Sequence, residues 1–246
     1  MYQPSLKIRS NGIPVVSNEE LDIIGERFVA DFCPAALQAQ QEIDIDRFLT
    51  HYLELDLDYQ FLSHCGVYLG TTIFQTTNSF PVYIPEEHKA EFIHVKAGTV
   101  IIDSTLLKVA QEHRYRFTAG HEGSHSILHP SYYLDNIGNN DLNDNSFIRC
   151  RADFSVSRNS SNSRKYCLND KQRLEQQANR LASAILMPRC GVKFAIARIP
   201  MKNEREWIIQ SVRKISRTFN TSHESSFYRL KELGFVNSNM PYRAIL

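Results

Sequence analysis

RFTAGHEGSHSILH, residues 116–129, decides how the rest of the chain is read. Within it His121, Glu122 and His125 form the pattern H-E-x-x-H. On an α-helix the two histidines stand one turn apart on the same face, so both imidazoles can reach one ion. Glu122 leans to the adjacent side, where a carboxylate can take a proton from a water at the metal. The plainer alternative is a helix whose histidines are only surface or satisfied core groups.

A zinc site needs a third protein ligand. The metzincin arrangement would place Gly seven and His ten positions after His121, but those positions hold Leu128 and Ser131, which excludes that class. His129 lies eight positions after His121, about 12 Å along a helix axis, too far to share the ion. It is expected behind the ligands, either bonded to one of them or purely structural. The strongest source of a third ligand is EQQANRLASAILMP, residues 175–188. Leu174, Ala178, Leu181, Ala182, Ile185 and Leu186 make an apolar stripe, with Glu175 at its edge and Asn179 one turn later. An inward-facing carboxylate on such a helix is costly unless it is paired or bound to metal. Asn179 can hydrogen-bond a ligating imidazole and fix its tautomer. The alternative for Glu175 is an exposed carboxylate near the helix start, favoured by the dipole.

Outward from this pair of segments, Ser17 and Glu20 form a capping-box pattern before Leu21, Ile24 and Phe28, which predicts a helix over 17–30. A second short helix is expected over 43–54. Residues 58–103 carry GVYLGTTIF, FPVYIP and FIHVKAGTVIID, rich in β-branched and aromatic residues and broken by Gly and Pro. They predict three or four strands of one small sheet. Helices are expected over 104–112, 114–129, 171–187, 203–218 and 222–233, with Gly234 as a stop. Residues 131–170 have little periodicity and read as an insert. It carries three Asp and no cation over 131–146, then six Lys or Arg against two Asp over 151–173. Anchored beside both metal-bearing segments, it is expected to border the substrate cleft.

The two blocks, RFTAGHEGSHSILH followed by EQQANRLASAILMP, resemble the ImmA/IrrE metallo-endopeptidases, and GTVIIDSTLL upstream is similar to the strand-helix element placed there in that family. The resemblance covers roughly 90–190 well and 203–235 more loosely. It implies an α+β fold with a small zincin, thermolysin-like domain, a short mixed sheet and an active-site helix bearing the motif. It also implies zinc held by His121, His125 and Glu175, with Glu122 as general base in peptide hydrolysis. Stabilisation of the oxyanion is expected from Tyr132, Tyr133 or His129. The implied substrate is a protein, a helix-turn-helix transcriptional repressor. Two departures stand out. Gly123-Ser124 replaces the usual Leu-Gly, and His125 and Glu175 are 50 positions apart, which the insert must account for.

WIIQSVRKISRTFNTSHESSFYRLKELGFV, residues 207–236, reads as helix, turn at Asn220-Thr221, helix, and resembles a helix-turn-helix. Residues 202–232 hold seven Lys or Arg and four Glu, a net +3. The alternative function is therefore a DNA-binding regulator or metal sensor with a non-catalytic zinc site. The expected organisation is a peptidase domain over 1–200 and a helical segment over 201–246 packed on it, with direct DNA binding not expected.

The whole chain of 246 residues has a formal charge of +1, which gives no overall pull toward nucleic acid or anionic membrane. No secretory signal and no 18-residue apolar run is found, so the expectation is a cytoplasmic protein without a membrane partner. Five widely spaced cysteines without a CxxC pair read as free thiols, with a Cys150–Cys167 clip as the alternative.

Overall fold

The computed structural model describes residues 1–135, 147–151, 169–201 and 203–245. The fold is α+β. Most of the 131–170 insert, and with it the expectation that it controls access to the cleft, lies outside the described residues, as does Cys167 of the alternative clip.

Helix α1 (Asn18–Phe32) starts at the expected capping box, in which Ser17 accepts from the Glu20 amide and Glu20 accepts from the Ser17 amide. Next come a single turn α2 (Ile45–Arg47) and a π-turn over Phe48–Tyr52, in place of one regular helix. Strands β1 (Asp56–Gln60), β2 (Tyr68–Ile73), β3 (Thr77–Ile84), β4 (Lys89–Val95) and β5 (Thr99–Asp103) follow. These are five strands in two sheets, a correction to the single sheet of three or four. β1, β5 and β2 join β6 (Phe147–Arg151, from the insert) in a mixed sheet of order β1-β5-β2-β6, parallel only between β1 and β5. β3 and β4 make a separate antiparallel hairpin.

The second sheet has a direct physical cause. β5 is buried along its whole length. Val100 and Ile102 face a core made with the helices, whereas Ile101 faces the other way. That second face needs its own cover, and Phe80, Val82 and Val95 of the hairpin supply it, together with Ile73. The β2–β6 pairing shifts register between Tyr68 and Gly70. Leu69 therefore joins the helix-side core while Gly70 and Thr72 also approach the helices.

The helix expected over 104–112 is instead two 3₁₀ turns, Ser104–Leu107 and Val109–Gln111, separated by an extended Lys108. Buried Asp103 sets the first of them by accepting from the amides of Leu62 and Thr105. Helix α3 (Glu112–Leu128) carries the motif, and α4 (Pro130–Asp135) follows it. Helix α5 (Asp170–Leu186) opens on a capping box between Asn169 and Gln172 and lies against both α1 and α3. A further helix, α6 (Arg189–Ile196), begins directly after Pro188 and was absent from the sequence reading. Eight residues are too few for an amphipathic period to stand out from its neighbours.

Helices α7 (Glu204–Phe219) and α8 (His223–Glu232) meet at Asn220, which takes the left-handed conformation as the cap of α7. Their apolar faces form a second core with α6 and Met187. Two sets of cations tie this segment to the rest. Arg116 of α3 donates to the carbonyls of Asn220 (3.0 Å) and Ile43 (2.8 Å). Fully buried Arg229 donates to Asp22 of α1 (2.7 Å) and to the Met187 carbonyl (2.9 Å), and Arg180 of α5 pairs with the same Asp22. Among the described residues no helix is long and apolar enough to cross a membrane.

Helix α1 lies close against α5 at Gly25. A Cβ there would sit 2.6 Å from Ala184 Cβ and 3.0 Å from its backbone carbon, and neither can swing aside. Gly25→Ala should therefore destabilise the chain by about 1–3 kcal/mol through overpacking. Urea unfolding checks this: a midpoint at or above that of the parent would show that α1 and α5 can separate freely.

Candidate metal centre

Helix α3 places His121 and His125 one turn apart, and both rings are completely buried. Their Nε2 atoms converge to 2.9 Å. Glu175, in the second turn of α5, brings Oε2 to 3.3 Å from His121 Nε2 and Oε1 to 3.5 Å from His125 Nε2. One ligand atom from each residue falls within a 4.8 Å cluster. About a third of the Glu175 side chain is exposed, so the cluster opens to solvent on that side. Two imidazoles and one carboxylate, directed at one point with an open side, form a donor set compatible with a metal ion.

The remaining ring nitrogens are occupied from behind. His121 Nδ1 donates to Asn179 Oδ1 (3.0 Å), the contact expected from Asn179 one turn after Glu175. His125 Nδ1 lies 2.9 Å from His129 Nδ1, and His129 Nε2 lies 3.1 Å from Gln177 Oε1. His129 is thus buried behind His125 and does not reach the ligand cluster. Burial and the neighbouring His125 hold it well below the usual imidazole pKa, so it is uncharged. Burial also lowers His125, with His121 adding to the effect. For His121 burial works in the same direction, but Glu175 outweighs it and raises the pKa. Burial pushes Glu175 toward the neutral acid, and the two imidazoles reverse this, leaving it below the usual carboxylate range. Glu175 is therefore an anion paired with the histidines.

Glu122 faces β2. Thr72 Oγ1 donates to Glu122 Oε2 (2.7 Å) and to its backbone carbonyl (3.0 Å), fixing the carboxyl to the sheet. Oε1 is buried and has no hydrogen-bond partner among the described residues. Burial pushes the carboxyl up to about 8, against the lowering effects of His121 and Thr72. The space it occupies depends on Gly70, where a Cβ would stand 2.9 Å from both Cγ and Oε1 of Glu122. Gly123, the small residue inside the motif, has a comparable cause: a Cβ there would meet Leu49 of the π-turn at 2.4 Å.

Of the aromatic candidates, Tyr133 stacks on Phe74 with ring centroids 4.7 Å apart. Burial raises its phenol, and the charges of Glu175, Tyr132 and Glu122 add to this. Tyr132 is less buried and responds to Asp170 instead, at the start of α5.

A model of the peptidase family described as the IrrE N-terminal-like domain matches residues 105–231, just over half of the chain. The chain belongs to this family. No curated protein matches the chain closely. The matched region runs from the first 3₁₀ turn after β5 into α8, so it contains His121, Glu122, His125, Glu175 and Asn179. Thr72 and Gly70 lie outside it. The sequence reading missed both, and also Gln177. Their only trace was the Gly-Thr-Thr run in β2 and a polar residue within the apolar stripe of α5.

Metal uptake follows from this geometry. Glu175→Ala should lose it, and Asn179→Ala should weaken it roughly 10- to 100-fold by freeing the His121 ring. Competition against a chelator measures both. Parental affinity in Glu175→Ala would remove Glu175 from the ligand set.

Proposed function

We propose that this chain is a zinc-dependent endopeptidase with a zincin-like core, in which His121, His125 and Glu175 hold the metal and Glu122 is the general base. The observation that carries the reading is the convergent His, His, carboxylate cluster, with the next residue after His121, buried Glu122, keeping an Oε1 that has no hydrogen-bond partner among the described residues. An orphan acceptor in the interior costs about 1–3 kcal/mol. When bound, zinc would polarise the scissile carbonyl and lower the pKa of a water. Glu122 takes the proton of that water on Oε1, while Thr72 holds Oε2 and so keeps the carboxyl turned one way. The same carboxyl is placed to accept a proton and then deliver it to the leaving amine. Tyr133 is favoured over Tyr132 and His129 as oxyanion donor: His129 is used up behind His125, and it is the Tyr133 phenol that responds to the charges of Glu175 and Glu122.

The family resemblance supports a protein substrate, a helix-turn-helix repressor, cleaved in the cytoplasm. The unpaired thiols of Cys33, Cys65 and Cys190 fit a reducing compartment. Residues 1–200 are read as the peptidase domain and 201–246 as a helical segment docked on it. The bonds from Arg229 and Arg116 support that docking. They weigh against the DNA-binding alternative, because Arg229 is buried and so is lost to phosphate contact.

Glu122→Gln should keep zinc, measured by elemental analysis, and lower cleavage of candidate repressors by about 10²- to 10⁴-fold, the usual worth of a general base. Gly70→Ala should also keep zinc and lose cleavage, because its Cβ displaces the same carboxyl. Full activity in Glu122→Gln would end the assignment of the base, and loss of zinc would make Glu122 a ligand.

A further inference from the structure

A ring nitrogen can bind a metal only if it carries no proton, and which nitrogen that is depends on what the other one bonds. For His121 the answer is local: Asn179 Oδ1 accepts from Nδ1 and leaves the Nε2 lone pair free to ligate. For His125 it is not, because its Nδ1 faces another imidazole nitrogen, His129 Nδ1, and either could be the donor. The proton is placed by what lies further back. Gln177 donates from Nε2 to the backbone carbonyl of Pro14 at 2.9 Å. A carbonyl can only accept, so the Gln177 amide is turned with Oε1 toward His129. Oε1 in turn can only accept, so the proton of His129 sits on Nε2, 3.1 Å away. The neutral ring then presents a lone pair at Nδ1, and the proton between the two imidazoles belongs to His125 Nδ1. His125 Nε2 is thereby left bare, 2.9 Å from His121 Nε2 and 3.5 Å from Glu175.

The anchor of this series is held in turn. Residues 7–15 fold back on themselves, with Val15 donating to the Lys7 carbonyl (2.7 Å) and Arg9 to that of Ile13 (2.9 Å). At the tip Gly12 has φ +82° and lies against the backbone of Tyr132, where a Cβ would come within 2.5 Å of its Cα. Asn11 donates to Asp170 at the start of α5 (3.0 Å). The hook is therefore seated against both α4 and α5, and the Gln177 side chain is only 7% exposed. This hook lies outside the residues that the family model matches.

We propose that Gln177 is a positioning residue that fixes His125 in its metal-binding tautomer through His129, with its own amide oriented by the Pro14 carbonyl. The inference rests on the reading of His121, His125 and Glu175 as a metal site and adds to it a device that reaches the N-terminal hook.

Two measurements test it, both on the full chain with Zn²⁺ as the probe. In long-range ¹H–¹⁵N spectra of the zinc-loaded protein, His129 should carry its proton on Nε2 and His125 on Nδ1. A proton on His129 Nδ1 would overturn the proposal without any variant. In chelator competition, Gln177→Leu, which keeps the bulk and removes the acceptor, should weaken Zn²⁺ binding roughly 10- to 100-fold. Gln177→Glu, which keeps an acceptor for His129 but loses the donor to the Pro14 carbonyl, should recover part of that loss. Parental affinity in Gln177→Leu with only a lower melting temperature would reduce Gln177 to a packing group and leave the metal site standing. Failure of the parent itself to take up Zn²⁺ would end both readings.

Discussion

The structure depends on one contact, the approach of the Glu175 carboxylate on α5 to the two imidazoles on α3. Imidazoles and carboxylates gathered in an interior are unfavourable unless their charges and protons are matched. Here the matching is nearly complete. Glu175 answers both histidines, Asn179 and His129 occupy the outer nitrogens, and Thr72 takes one oxygen of Glu122. Among the described residues Glu122 Oε1 is left without a partner, and it is the atom that the proposed reaction needs.

Bringing α3 and α5 together puts a demand on the helices around them. α1 lies close against α5 because Gly25 faces Ala184, and the π-turn lies close against α3 because Gly123 faces Leu49. Small residues at these crossings cost some helix propensity and let the axes approach. Gly70 does the same for the sheet, allowing β2 to lie against Glu122 and Thr118. The departure from the usual Leu-Gly inside the motif is thus matched by a neighbour that fills the space.

The C-terminal helices continue the same logic. Asp22 of α1 receives Arg180 of α5 and Arg229 of α8, so one buried carboxylate joins three helices, and Glu232 accepts from both arginines. Removal of one partner would leave an uncompensated charge in the interior, which is far costlier than the net worth of the pairs. α8 is therefore committed to the body of the molecule. Its similarity to a helix-turn-helix in sequence reflects the shared requirement of two short amphipathic helices joined by a tight turn, supplied here by the left-handed Asn220.

Much of the site was legible because its determinants are local. Histidines four apart must share a helix face, a capping box names its own helix start, and a carboxylate at the edge of an apolar stripe must find a partner. His121, Glu122, His125, Glu175 and Asn179 follow from such spacings, as does the start of α1. The second sheet, the 3₁₀ turns after β5 and the parts played by Thr72, Gly70 and Gln177 did not follow. Thr72 meets Glu122 across 50 residues and Gln177 meets Pro14 across 163, and neither separation leaves a periodic trace. An alternation of apolar residues shows that a strand has two faces to cover but not which element covers each. By itself the sequence determined which side chains could hold an ion and on which helices they stand. Tertiary structure alone decided which way their protons point, because hydrogen-bond direction is set by the last acceptor in the series, and that acceptor is a backbone carbonyl near the other end of the chain.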